Sequence, residues 1–336
     1  EAALSQVAAV TPVWAETDLA DRCALLHRMA DILREQKESL AQLVTLEMGK
    51  LIAESRAEVE KCASGCEYYA EQASHFLADE IIETDAGKSL VAYQPLGTVL
   101  AVMPWNFPLW QVFRFVAPTM AAGNTGLLKH ASNVPQCALA IERIIEEAGF
   151  PSGVFRTLMI DASDVSQVIA DPRVHAVTLT GSEPAGRQVA ACAGENLKKS
   201  VLELGGSDAF VVLADADLDL TVEQAVVSRY LNAGQSCIAG KRFIVVDEIA
   251  DEFVSRFAAA VEVLKPGDPV DEQTTLAPLA REDLRDELHK QVESSVKDGA
   301  IVVIGGNPAE GPGAFYEATI LDQVTPGMAA YEEELF

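Results

Sequence analysis

Four short segments carry the side chains able to do covalent or acid–base chemistry. Cys237 closes the run Asn232-Ala233-Gly234-Gln235-Ser236-Cys237. A cysteine that follows a helix end and a glycine-containing turn is partly exposed, where backbone N–H groups stabilise a thiolate or an oxyanion. Taken alone, it reads more simply as a buried small hydrophobe, the common state of free cysteine. Glu203 stands in Leu202-Glu203-Leu204-Gly205-Gly206. A carboxylate between apolar residues at a strand end is costly to bury unless its pKa rises, which suits a general base. A glutamate turned toward solvent is the equal alternative.

Asn106 sits in Pro104-Trp105-Asn106-Phe107-Pro108, a stiff two-proline turn after an apolar strand. Its amide can donate to a developing oxyanion there, or cap the helix that follows. The fourth segment is Thr180-Gly181-Ser182-Glu183-Pro184-Ala185-Gly186, between a strand and a helix. Glycine, hydroxyls and free helix N–H groups suit a pyrophosphate. The G-x-G-x-x-G fingerprint is absent, and an N-capped helix start explains the segment equally well.

The elements that position these residues follow from hydrophobic period. Leu25, Leu26, Met29, Ile32 and Leu33 mark a helix after Thr17-Asp18, and Val59, Cys62, Cys66, Tyr69 and Ala73 mark a second over 53–77. Cys62 and Cys66 read as packing. Two short apolar runs around Asp85-Ala86-Gly87 give a hairpin. From residue 97 apolar strands alternate with helices, ending with Val201 to Leu204. That alternation predicts a parallel, doubly wound sheet. A second series begins near residue 209, with a helix over 217–231, a strand over 243–246, helices over 250–264 and 282–298, and a strand over 301–304.

The 336 residues suit roughly two domains, and the net charge of −26 opposes binding to nucleic acid backbones or anionic membranes. None of the six cysteines forms a C-x-x-C pair, so no metal is expected, and a reducing, cytoplasmic compartment is. No apolar run reaches the roughly 18 residues of a membrane helix. The chain opens on Glu1-Ala2-Ala3 without an initiator Met and stops at Glu334-Leu335-Phe336; we expect a fragment lacking both termini.

Together the P-W-N-F-P, T-G-S, L-E-L-G-G and G-Q-S-C motifs, with the terminal Glu334-Leu335-Phe336, resemble the aldehyde dehydrogenase superfamily across essentially the whole chain. The resemblance implies an α/β fold: a Rossmann-type cofactor domain over 1–78 and 96–204, an oligomerisation hairpin over 79–95, and an incomplete catalytic α/β domain over 205–336. It implies Cys237 as nucleophile, Asn106 as oxyanion donor and Glu203 as base. It implies NAD or NADP as cofactor, bound through Trp105, Lys129, Ser132, Thr180, Gly181, Ser182, Gly186, Leu204, Gly205, Glu334 and Phe336. Ser132 stands where strictly NAD-using relatives often carry a glutamate; without that charge a 2′-phosphate is tolerated. His130, beside Lys129, reads as packing.

Arg114 lies eight residues after Asn106, about 12 Å along a helix. A guanidinium there can clamp the far carboxylate of a substrate, with Trp110 also lining it; the alternative is an interface or surface arginine. An Arg at this motif position, with the run from Met103 to Val112, is similar to the bacterial NAD(P)-dependent succinate-semialdehyde dehydrogenases. Leu231 stands where some of these carry a second arginine, and Ile238 and Ala239 follow Cys237 where some carry a redox cysteine. Succinate semialdehyde is the expected substrate, as part of a homodimer or homotetramer; glutarate semialdehyde or a broad aldehyde range is the alternative. An inactive dinucleotide-binding fragment or structural protein on the same fold is the reading of another class.

Overall fold

A computed structural model describes all residues 1–336. The chain forms two compact units: Glu1–Val44 with Arg56–Leu204, and Thr45–Ser55 with Gly205–Phe336.

Chain order begins with four helices, α1 (Ala2–Ala15), α2 (Leu19–Glu35), α3 (Lys37–Met48) and α4 (Ile52–Phe76). β1 (Glu80–Ile81) and β2 (Leu90–Val91) then pair antiparallel, Glu80 opposite Val91, as the hairpin spacing predicts. The rest of the first unit alternates β3 (Thr98–Met103), α5 (Trp110–Ala121), β4 (Thr125–His130), α6 (Pro135–Glu147), β5 (Phe155–Thr157), α7 (Val165–Ala170), β6 (Ala176–Thr180), α8 (Glu183–Glu195) and β7 (Lys199–Glu203).

β3 to β7 form one parallel sheet in the order β5-β4-β3-β6-β7. β4 is buried along its whole length and β3 along most of it, as helices on both faces of a parallel sheet require. Leu100, Leu127, Val177 and Leu179 join Leu4 and Val7 of α1 and Val189 of α8 in one apolar core. From β3 the chain adds β4 and β5 on one side, then crosses to add β6 and β7 on the other. The strand order therefore reverses between β3 and β6, and a crevice opens outside their C-terminal ends, where doubly wound sheets bind ligands.

β7 departs from the expectation of a core strand. It is the sheet edge, and only Leu202 among its five residues is even half-buried. An apolar run specifies a strand but not whether a neighbour covers its outer edge.

The second unit contains β8 (Asp208–Val212), α9 (Leu218–Tyr230), β9 (Gly240–Val245), α10 (Asp247–Glu262), α11 (Glu282–Lys297), β10 (Ile301–Ile304), β11 (Ile320–Asp322) and α12 (Ala329–Glu332). β8 and β9 pair in parallel, and β10 and β11 antiparallel. Phe243 packs against Phe210, Phe253 and Phe257 with ring centroids 5.3, 6.1 and 5.0 Å away, on the side of a core that holds Phe253 and Phe257. No helix is long and apolar enough to cross a membrane.

Candidate functional site

In the first unit the turn carrying Asn106 occupies the C-terminal end of β3, on the crevice that the strand order opens. Three restraints hold it. The buried Glu58 of α4 accepts the backbone N–H groups of Leu109 and Trp110, both at 2.9 Å. A carboxylate thus caps the start of α5, where Leu109 provides no side-chain cap. His130, at the end of β4, donates from Nε2 to the Pro108 carbonyl at 2.8 Å, and its Nδ1 lies 3.0 Å from the Ala131 nitrogen and 3.2 Å from the Met103 carbonyl. His130 is buried packing, as expected, but it also pins the turn. Asn106 itself is buried.

β6 delivers Thr180, Gly181 and Ser182 to the other side of that crevice. Ser182 is the N-cap of α8, yet its exposed hydroxyl makes no capping bond. A free hydroxyl and unsatisfied N–H groups at the start of a 13-residue helix fit a pyrophosphate. Gly186, in the first turn of α8, leaves room for the end of the Leu204 side chain: a Cβ there would come within 2.5 Å of Leu204 Cδ2 and push it aside. The missing side chain lets the helix start close on the end of β7. On β4, the buried Lys129 ammonium donates to the His130 carbonyl at 2.8 Å, and burial pushes its pKa down from the ordinary value. Ser132 follows on the exposed loop. An ammonium and a hydroxyl, with no carboxylate at Ser132, make a donor set that fits a phosphorylated adenosine ribose.

Glu203, at the end of β7, corrects the burial argument made from sequence. Its side chain is more than half exposed, so desolvation does not single it out. Its neighbour does. Arg114 projects from α5 and donates to Thr180 Oγ1 at 3.0 Å, with its guanidinium 3.6 Å from the Glu203 carboxylate. The structure thus brings Arg114, Thr180 and Glu203 together. Trp110 lies over Gly65 of α4 with the Lys61 ammonium 4.4 Å from its ring centre, engaged with that helix.

In the second unit Cys237 follows an unusual turn. Asn232 and Ala233 both lie in the left-handed region, at φ 55° and 54°, ahead of Gly234 at 79°. Left-handed backbone is costly for alanine and persists only where surroundings over-determine it. They do so here. The Asn232 N–H donates to Glu54 Oε1 at 3.0 Å. The Asn232 and Gln235 side-chain amides donate to each other's backbone carbonyls at 3.1 and 3.0 Å, and Gln235 Oε1 accepts the Ala280 N–H. Cys237 emerges half-buried. Cys66, by contrast, is fully buried on α4, and desolvation pushes its thiol far up, leaving it inert.

Glu334 lies against the backbone of Gly205, where a Cβ would come within 1.9 Å of its carboxylate. Only glycine admits that approach. The Glu334 carboxylate pairs with Lys241 at 3.0 Å, and Lys241 also donates to the carbonyls of Ser236 and Cys237 at 3.0 and 2.9 Å. Sequence reading missed Lys241, because a lysine beside an arginine at the start of a strand looks like solvated surface. Phe336 is half-buried.

The aldehyde dehydrogenase family description matches residues 1–336. A probable succinate-semialdehyde dehydrogenase [NADP(+)] of a Synechocystis species is 53% identical over 317 residues, 94% of this chain and 70% of that protein. A succinate-semialdehyde dehydrogenase [NADP(+)] of Mycobacterium avium is 52% identical over 325 residues, 95% of this chain and 68% of that protein. The crystal structure of succinic semialdehyde dehydrogenase from Streptococcus pyogenes in complex with NADP+ superposes with a TM-score of 0.97 at 42% identity, over 99% of this chain and 73% of that one.

Proposed function

Since the chain belongs to the aldehyde dehydrogenase family, we propose that it oxidises succinate semialdehyde to succinate with NADP or NAD. The observation that carries the substrate is Arg114: its guanidinium already faces a carboxylate, that of Glu203, at 3.6 Å. A semialdehyde presents the same group at its far end. The names of the relatives at 50–53% identity support the same substrate and NADP.

Cys237 is assigned as the nucleophile: its thiolate sulfur bonds to the aldehyde carbon. The Asn106 amide and the Cys237 backbone N–H donate to the resulting oxyanion. NAD(P)+, when bound, supplies the acceptor for the hydride that this carbon gives up. The carbon is then a thioester on Cys237. Glu203 takes a proton from water as the water oxygen adds to that carbon, the C–S bond breaks, and the carboxylate leaves with the thiolate restored. Ser182 and the start of α8 hold the pyrophosphate, Lys129 and Ser132 the adenosine side, and Glu334 the nicotinamide ribose. Trp105, Thr180, Gly181, Leu204 and Phe336 complete the cofactor contacts. We place the enzyme in the cytoplasm as a homodimer or homotetramer. The β1–β2 hairpin supports assembly: Ile81, Val91 and Tyr93 are exposed on a ribbon too small to be stable alone.

Cofactor reduction by the full-length protein tests the reading. Turnover of succinate semialdehyde is expected with both NADP and NAD, and Cys237→Ala should lower kcat by about 10⁴-fold or more. Undetectable activity with NADP would remove the cofactor assignment; a Cys237→Ala enzyme that still turns over would refute the mechanism.

A further inference from the structure

The thiol turn of the second unit rests on a cation that this chemistry leaves without a role. Lys241 stands four residues after Cys237, at the start of β9, and its side chain is 1% exposed. An ammonium has three N–H donors and no acceptor. Lys241 donates to two carbonyls, that of Ser236 at 3.0 Å and that of Cys237 at 2.9 Å, and its ammonium forms an ion pair with the Glu334 carboxylate, Nζ to Oε1 3.0 Å. Glu334 is confined from behind by the Gly205 backbone. Upstream, the Asn232–Gln235 amide pair fixes the left-handed residues. Downstream, Lys241 holds the turn carbonyls.

We infer that Lys241 is a positioning residue, which locks the thiol-bearing turn and the Glu334 carboxylate into one rigid piece. The inference rests on the assignment of Cys237 as nucleophile and of Glu334 as a cofactor contact. A point-like ammonium suits the task, because its donors reach two carbonyls while its charge faces the Glu334 carboxylate. The two left-handed residues store backbone strain, so a turn that loses its downstream restraint has strain to release. The Cys237 sulfur and its backbone N–H then lose their fixed direction. Glu334 loses its buried partner at the same moment.

The test is Lys241→Met in the full-length enzyme, read three ways: carbamidomethylation of Cys237 by iodoacetamide without cofactor, followed by mass spectrometry; KM for NADP+; and KM for the aldehyde. Alkylation should slow about tenfold and KM for NADP+ should rise about tenfold, with KM for the aldehyde within about threefold of wild type. A lysine that only stabilises the fold would lower Tm and move neither alkylation nor cofactor KM. A folded Lys241→Met enzyme with either value unchanged therefore overturns the inference. If the single variant does not fold, Lys241→Met with Glu334→Gln removes the orphaned carboxylate, and alkylation alone decides. Slow labelling of the double variant supports the clamp, and a wild-type rate overturns it. Cys237→Ala separates the two levels. If that variant still oxidises aldehyde, the nucleophile assignment falls and the Lys241 inference with it. If it is inert while Lys241→Met behaves as wild type, the Lys241 inference alone falls.

Discussion

In the first unit Arg114 faces Glu203 across 3.6 Å, with 31% and 56% of the two side chains exposed; in the second, Lys241 meets Glu334 at 3.0 Å, with 1% and 26% exposed. Both are a cation beside a carboxylate, but water treats them differently. Solvent screens the first pair, and such pairs contribute about 0–1 kcal/mol. Either partner can leave at little cost, which suits a guanidinium meant to exchange Glu203 for a substrate carboxylate. The second cation is out of water and hydrogen-bonded to two backbone carbonyls as well as ion-paired, so deleting one partner of such a pair costs about 3–5 kcal/mol. An exchangeable pair serves binding and turnover, and a buried one serves as scaffold.

Glu203→Gln gives the largest expected effect within that contrast. If Glu203 acts as the base and meets Arg114 only in passing, kcat should fall about 10³-fold. A pre-steady-state burst of reduced cofactor should survive, because thioester formation does not need the base. Loss of the burst together with kcat would mean that Glu203 acts before the thioester, and the contrast would break. Arg114→Ala comes next. Its KM for succinate semialdehyde should rise about 100-fold, the worth of a charge-assisted hydrogen-bonded pair at about 2–3 kcal/mol. Propanal, without a far carboxylate, should change less than about threefold. Equal effects on both aldehydes would sink the clamp.

The sheet was legible because Val99 to Val102 and Gly126 to Lys129 are continuous, largely apolar runs, the second buried throughout and the first within a strand buried along most of its length. The edge position of β7 was not, since Val201 and Leu202 read the same with or without a neighbouring strand. β11 was missed: Ile320-Leu321-Asp322 is too short to show a period. Asn106, Glu203 and Cys237 stood out through motif chemistry. Their supports did not, because Glu58 and His130 act across folds in the chain and Lys241 looks like solvated surface. Ala233 is the clearest case, as nothing about an alanine announces a left-handed backbone.

A third pair separates distance from burial. Arg173 grips Asp171 at 2.6 Å with two nitrogens and reaches Glu1 as well, yet it lies at the surface of the first unit with both side chains partly open. Hydrogen bonds from the Arg173 side chain hold the Asp171 carboxyl at about 2, against an ordinary 3.8. A carboxylate whose folded pKa is depressed contributes stability that is full above its unfolded pKa and is lost as pH falls through the folded one. For Asp171 that window runs from 3.8 down to about 2. Asp171→Asn should therefore lower Tm near neutrality and narrow the gap to wild type as pH falls through the window. Screening keeps the effect small, the least of those expected here. A loss at neutral pH as large as that of Lys241→Met would show that close hydrogen bonding, rather than exclusion of water, sets the worth of these pairs.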